Sequence, residues 1–291
     1  MSATGAAPIV NAMSVDVEDY FQVTAFDSVV ARESWVQMES RVCGNTDRLL
    51  GIFDQAGIRA TFFVLGWVAE RFPELVARIA AQRHEIASHS FAHRLVYDQT
   101  TDEFREDVRR SKRLLESITG TAVNGYRAPS YSVTARSLWA LDVLIEEGYQ
   151  YDASIFPIHH DRYGIPSAPR DVHRIHRSGG AIVEAPASTV RWAGLNLPIA
   201  GGGYFRLLPY AWTRWGIAHR NGTERRPAIF YLHPWEVDPE QPRLTTTLAT
   251  RIRHYRNLDR TEPRLRRLLD DFQFSTVAEL LKTAEPGLAP A

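Results

Sequence analysis

An α/β architecture, with βα units around a parallel sheet or barrel and a helical C-terminal extension, is predicted by three features of this chain. Short β-rich apolar runs alternate with amphipathic helical segments, the pattern of βα units around a parallel sheet. The length of 291 residues, 44% hydrophobic and 23% charged, suffices for one large domain with a sizeable core. Polar and titratable residues recur at the C-terminal ends of the apolar runs, where barrel chemistry collects.

Taken in order, Ile9 to Val17 reads as the first strand, with acidic residues at its C-terminal end. Asn45 to Gln55 reads as a helix stopped by Gly57, and Ala60 to Leu65 as the second strand. Phe72-Pro73 opens a helix at a position where the missing proline N–H costs little, with Leu75, Ile79 and Ala80 on one face. His84 to Ala87 forms the third strand and delivers His89 and His93 into the loop beyond it. Thr100 and Glu103 have the spacing of a capping box, and Phe104, Val108, Leu115 and Ile118 follow at helical spacing up to Gly120. Asn124 to Tyr126 is a short strand, Thr134 to Glu147 a helix ended by Gly148, and Tyr149 to Asp152 a further strand. Ala181 to Ala185 and Ala228 to Leu232 complete the strands. Residues 156–180 and the Gly201-Gly202-Gly203-Tyr204-Phe205 segment are expected to be irregular loops. In this reading Glu18, His89, Arg127, Asp152, Glu184 and His233 all sit at or just past strand ends.

Composition excludes several classes. Formal net charge is zero, from 34 basic and 34 acidic residues, so no footprint for nucleic acid is expected. Nearly all basic residues are arginines, which suit bidentate carboxylate pairing. The arginines between Arg251 and Arg267 are interleaved with Asp259, Glu262, Asp270 and Asp271, the pattern of a salt-bridged helix surface. Cys43 is the single cysteine, which excludes an intrachain disulfide framework and is expected as a small buried hydrophobe. No apolar run reaches the length of a membrane span, and Met1 to Pro8 lacks the basic and apolar regions of a secretory signal. Cytoplasmic residence, or association with the inner face of the membrane, is the resulting expectation. Pro286 to Ala291 is expected to be disordered.

The most informative stretch is Ser88-His89-Ser90-Phe91-Ala92-His93, read with the acidic cluster Asp16-Val17-Glu18-Asp19. Two imidazoles four residues apart can turn toward one point, and an upstream carboxylate completes two nitrogens and an oxygen. That donor set suits a catalytic zinc site with open positions.

These stations, in this order, resemble the polysaccharide deacetylase family, also called the NodB-homology or carbohydrate esterase family four domain. The resemblance runs from about Val10 to Pro234. Ser14 to Phe21 and the segment His254-Tyr255-Arg256-Asn257-Leu258-Asp259 resemble the exosortase-associated exopolysaccharide deacetylases in particular. The resemblance implies a distorted (β/α) barrel of the polysaccharide deacetylase type, with a deacetylase domain over residues 9–238 and a helical extension over 239–285 packed on it. It implies Asp16 as general base and His89 and His93 as metal ligands. The third ligand is Glu18, which strand alternation puts on the face of Asp16, or Asp19 if the strand end bulges. Arg127 orients the base, although Ser130 separates Pro129 from Tyr131 and departs from the family spacing. Asp152 falls where the family has the acid that orients the catalytic histidine, and His233 is the general acid. Tyr131, Trp235 and Glu236 are expected to line a substrate groove together with the Gly201 to Phe205 segment.

The implied activity is hydrolysis of a linear amide: removal of N-acetyl groups from a glycan, with zinc as the metal and cobalt able to substitute. No Ser or Cys nucleophile elbow is present. An amidase acting on a small amide or ureide, allantoinase-like, and a decayed carbohydrate-binding module are the competing readings. The expected partner is the N-acetylated glycan, with a homo-oligomer allowed.

Overall fold

The computed structural model describes residues 8–284. The expectations placed on Met1–Ala7 and on Pro286–Ala291 therefore lie outside the described residues. A mixed sheet of nine strands is rolled around the molecule's axis and flanked by helices. The strands are β1 (Asn11–Val17), β2 (Thr61–Val64), β3 (Glu85–Ser88), β4 (Gly125–Tyr126), β5 (Tyr151–Asp152), β6 (His173–Arg177) and β7 (Gly180–Glu184). A separate two-stranded hairpin, β8 (Thr189–Trp192) and β9 (Leu195–Pro198), precedes β10 (Ile229–Leu232) and β11 (Phe274–Ser275). The sheet runs β10-β1-β2-β3-β4-β5-β7-β6, with β11 also on β1; every pairing is parallel except β6 with β7.

The helices are α1 (Val42–Gln55), α2 (Gly66–Arg71), α3 (Pro73–Ala81), α4 (Thr101–Thr119), α5 (Ala140–Glu146), α6 (Gly202–Leu207) and α7 (Tyr210–His219). The C-terminal extension adds α8 (Leu248–Tyr255), α9 (Leu258–Asp271) and α10 (Val277–Ala284). Local chemistry sets several ends. The Thr100 hydroxyl accepts from the Glu103 N–H, the Glu103 carboxylate accepts from the Thr100 N–H, and Gly120 closes α4 at φ 66°.

Strand alternation sorts the core into two faces. Met13, Val15 and Val17 point outward with Phe62 and Val64 into the main core. Ala12, Phe63, Ala87, Tyr151 and Ile229 point inward and fill the barrel. Val277, Leu280 and Leu281 of α10 pack into that inner cluster beside Ala12, at the N-terminal mouth. Burying each such leucine contributes about 1.5–3 kcal/mol. The extension thus closes one mouth and adds a strand to the sheet, while the other mouth holds the polar residues.

The gap between the two sheet edges is bridged by irregular chain. Ala187 N–H donates to the Ile155 carbonyl, Ile199 N–H to Ser188, and Tyr231 N–H to Ala200. At Gly201 (φ 121°) a Cβ would come within 1.9 Å of the Tyr231 carbonyl oxygen, so only glycine lets the chain abut β10 there.

Four expectations are corrected. The helix expected from Thr134 begins at Ala140, because the Ser137 hydroxyl accepts from the Thr134 N–H and donates to the Ser132 carbonyl, holding a turn instead. The segment 156–180 is not all loop: β6 lies inside it and pairs with β7 through a hairpin. The glycine-rich segment at Gly201 is the start of α6 rather than an irregular loop. Cys43 is half-buried, not fully enclosed. Among the described residues, no helix is long and apolar enough to cross a membrane.

Candidate active site

Asp16 stands on the inner face of β1 and is 2% exposed. Arg127, directly after β4, reaches across the barrel with Nη1 2.7 Å from Asp16 Oδ1 and 2.9 Å from Ser14 Oγ. Its Nε donates to the Ala153 carbonyl at 3.2 Å, and the guanidinium lies 4.1 Å from the Phe63 ring centre. Burial works against the Arg127 charge, but the Asp16 carboxylate outweighs it and raises the pKa. A buried carboxylate is thereby held in one orientation by a fixed cation.

Glu18, one strand residue pair further on, meets His89 and His93. Glu18 Oε2 lies 2.6 Å from His93 Nε2 and 3.9 Å from His89 Nε2, and all three side chains are at most 3% exposed. One ligand atom from each falls within 4.8 Å of the others. Burial pushes the Glu18 carboxyl up, but His93, then His233 and His89, outweigh it and bring it to about 2. Burial brings His89 down to about 4, which keeps its ring neutral and a lone pair available at neutral pH. His89 Nδ1 sits 2.8 Å from the Arg127 carbonyl, which fixes the tautomer that turns Nε2 toward the cluster. Glu18 Oε2 is buried without a hydrogen bond of acceptable geometry. The imidazole nitrogens of His89 and His93 and the charged, unsatisfied Glu18 oxygen converging on one point fit a divalent cation.

His233, directly after β10, points Nε2 at the same place, 3.8 Å from Asp16 Oδ2 and 3.7 Å from Glu18 Oε1. Its Nδ1 is 3.1 Å from Glu236 Oε2, and that oxygen also accepts the His233 N–H at 3.0 Å. Glu236 Oε1 in turn accepts from Arg206 Nε at 2.6 Å. Burial depresses the His233 pKa, yet Glu236, then Glu18 and Asp16, outweigh it and raise it to about 9. Burial raises Glu236, but Arg206 and His233 outweigh it and hold it at about 2. The site opens into a cleft of about 250 Å³.

The structure brings together Asp16, Glu18, His89, His93, Arg127 and His233 as the spacing and the family resemblance implied, and separates three others from their expected places. Asp19 is not in the metal cluster. Its Oδ2 accepts from Ser40 Oγ and from the Arg41 and Val42 N–H groups at 2.7–3.1 Å, so it caps α1. Asp152 does not reach His233. It shares a register row with Glu184, Tyr126, Ser88 and Val17, the outward face of the sheet, and hydrogen-bonds Ser154. Trp235 borders the cleft but is only 5% exposed, sandwiched between His233 (5.1 Å, 21°) and His254 (4.2 Å, 16°). Its Nε1 faces Glu18 Oε1 at 3.3 Å, so it braces the site instead of offering an open sugar platform.

Tyr131 lines the cleft as expected, its buried hydroxyl without a partner. Ser130 (φ 51°) and Tyr131 (φ 53°) are consecutive left-handed residues, and the Tyr131 N–H donates to Ala128 within its own turn. The carboxylate on His233 is Glu236, which sequence reasoning had placed only as a groove residue. Arg206 and His254 were missed. The His-x-x-Glu spacing, that of a capping box, was the available signal for Glu236; His254 opens the segment that resembles the exosortase-associated subgroup, and nothing local marked Arg206.

Comparison with known proteins covers part of this site, including His89, His93 and Arg127. Residues 36–151 match the family model described as polysaccharide deacetylase, and residues 153–282 match a domain of unknown function (DUF3473). A peptidoglycan-N-acetylglucosamine deacetylase of Bacillus cereus is 33% identical over 98 residues, covering 33% of this chain and 36% of the relative. A peptidoglycan deacetylase of Helicobacter pylori is 30% identical over 114 residues, covering 39% and 37%. The matches thus span little more than a third of these relatives' length. A crystal structure of a candidate polysaccharide deacetylase from Mycobacterium smegmatis superposes with a TM-score of 0.61 over 99% of this chain and 97% of its own, at 19% identity, which shows the shared fold. Over residues 36–151 the chain is thus similar to polysaccharide deacetylases, and the barrel and the cluster of Glu18, His89 and His93 accompany that match.

Proposed function

We propose that this protein is a metal-dependent hydrolase that removes N-acetyl groups from an N-acetylated glycan, in bacterial exopolysaccharide biosynthesis, on the polymer or its precursor. One observation carries the reading: Asp16, clamped by Arg127, and His233, backed by Glu236, both border the buried cluster of Glu18, His89 and His93. A fixed carboxylate and a charged imidazole at one metal-binding point are the base and acid that amide hydrolysis needs.

Glu18, His89 and His93 would hold the ion, zinc by donor type, with cobalt as a substitute. The ion supplies Lewis-acid polarisation of the acetamide carbonyl and acidifies a water molecule. Asp16 takes the proton from the attacking water while Arg127 keeps its second oxygen aimed. His233 carries the proton that the departing sugar amine accepts, and Glu236 holds the imidazole for that transfer. Tyr131 offers its hydroxyl to the substrate. Residues 9–238 form the deacetylase domain and 239–285 an extension that supplies His254 to the wall of the site. The resemblance of Ser14–Phe21 and His254–Asp259 supports the exosortase-associated subgroup and a place at the inner face of the membrane. The names of the Bacillus and Helicobacter relatives add peptidoglycan to the glycans worth testing.

The test is acetate release from exopolysaccharide, chitin and peptidoglycan fragments with zinc or cobalt supplied. Asp16→Asn should bind metal and lose on the order of 10²–10⁴ in kcat. Release of acetate from none of them, or full activity in that variant, refutes the reading.

A further inference from the structure

We propose that the lip of the cleft is an anion subsite, which makes the preferred substrate a glycan bearing a carboxylate or phosphate beside the N-acetylated sugar. The inference rests on the deacetylase reading and adds the chemical class of what it acts on. Arg162, from the loop after β5, and Arg253, on α8, are both exposed and both line the cleft that leads to Asp16 and Glu18. Among the described residues, neither guanidinium has a carboxylate within salt-bridge distance.

Several other arginines are engaged by carboxylates, as Arg41 is with Asp238, Arg109 with Glu147 and Arg177 with Asp142. The carboxylate nearest in sequence, Asp161, is taken by His160 Nδ1 at 2.9 Å. Both arginines share the cleft lining with that histidine. Its ring stacks on Tyr163 at 3.8 Å, and after burial and against Asp161, the charges of Arg253 and Arg162 also depress its pKa.

The electrostatics explain why such a lip is useful. Arg127 and Arg206 are engaged by Asp16 and Glu236, so an anionic group beside the reacting sugar needs cations outside the metal cluster, and the guanidiniums at the entrance offer them. Exposed arginines carry little desolvation penalty before the ligand arrives, and their planar donors match a carboxylate or a phosphate. Two elements that are far apart in sequence present the pair, so the subsite exists only in the folded protein.

The experiment compares three substrates of the metal-loaded full chain. These are a neutral N-acetylglucosamine tetramer, a tetrasaccharide alternating glucuronate with N-acetylglucosamine, and an N-acetylglucosamine oligomer capped by a 1-phosphate. An anionic substrate should show a KM about tenfold below the neutral one at low salt, with the gap narrowing as salt rises. The arm that shows the gap distinguishes carboxylate from phosphate. The double variant Arg162→Gln/Arg253→Gln should close the gap, and the corresponding double lysine variant should keep part of it. Equal KM for all three substrates, or a gap that survives in the glutamine variant, overturns the subsite. If none is turned over, the deacetylase reading fails on its own. Calorimetric binding of the same oligosaccharides to wild type and to the glutamine variant then decides the subsite: tighter, salt-sensitive binding of an anionic one supports it, and equal binding refutes it.

Discussion

Glu236 holds His233 twice, through one oxygen that accepts the backbone N–H at 3.0 Å and faces the ring Nδ1 at 3.1 Å. Its other oxygen is fixed by Arg206. The histidine therefore cannot turn without breaking a local cap, and its Nε2 stays aimed at Asp16 and Glu18.

Glu236→Gln should lower kcat about 10- to 100-fold, leave KM within a few-fold and leave metal content unchanged. A substituted amide keeps the shape but loses the charge that favours imidazolium. Steady-state kinetics on an N-acetylated oligosaccharide, alongside metal analysis, check this. His233→Ala should lose far more activity on amides than on activated acetate esters, whose leaving group needs no proton. Equal losses on both substrates would remove His233 from the acid role.

The two neighbouring carboxylates just past β1, Glu18 and Asp19, should separate cleanly. Glu18→Ala, His89→Ala and His93→Ala should each lose the divalent ion while staying folded. Asp19→Ala should retain it but lose about 2–4 kcal/mol of stability, because it strips the acceptor from the buried start of α1. Metal stoichiometry and chemical denaturation read the two effects independently. Retention of the ion by Glu18→Ala would exclude it as a ligand.

Trp235 offers a third contrast. Trp235→Phe keeps a ring between His233 and His254 but removes the Nε1–H that faces Glu18, so metal affinity should weaken by about tenfold at nearly unchanged stability. Trp235→Ala should instead lose about 3–5 kcal/mol through the cavity it leaves. Competitive chelator titration and thermal unfolding distinguish them.

The buried pair Asp152 and Glu184 predicts a pH dependence of stability. Burial raises Asp152 from 3.8 to about 6, and burial with the neighbouring Asp152 charge raises Glu184 well above 4.5. Both folded values exceed the unfolded ones, so the folded state holds more protons. The stability this pair contributes is complete below about pH 4 and is lost as pH rises through 6 and beyond. Glu184→Gln, which leaves one carboxyl and can still donate to it, should flatten that decline. Thermal midpoints between pH 4.5 and 8 for both proteins measure it, and parallel curves would contradict the assignment.

Much of the site was legible because its signals are local. The four-residue spacing of His89 and His93, the two-residue spacing of Asp16 and Glu18, and the Thr100–Glu103 cap all depend on backbone geometry within one or two turns. Asp152 shows where that reasoning ends. Its place at a strand end was visible, but the face it occupies follows from its register with Glu184 and Tyr126, and that register points it away from His233.

The sequence by itself determined the alternation of strands and helices through its periodicity, and the spacings of His89 with His93 and of Asp16 with Glu18, whereas Arg127 and His233 were marked only by the family resemblance. Only the tertiary structure decided the rest. Asp19 became a helix cap because Ser40 to Val42 fold back onto it. Arg206, 30 residues from Glu236, reached it through α6, where the glycine-rich segment was expected to be loop. The C-terminal extension returned to β1 and placed His254 behind Trp235. Such partners are chosen by which segments compete for the same buried polar atoms, a choice made only when the chain closes on itself.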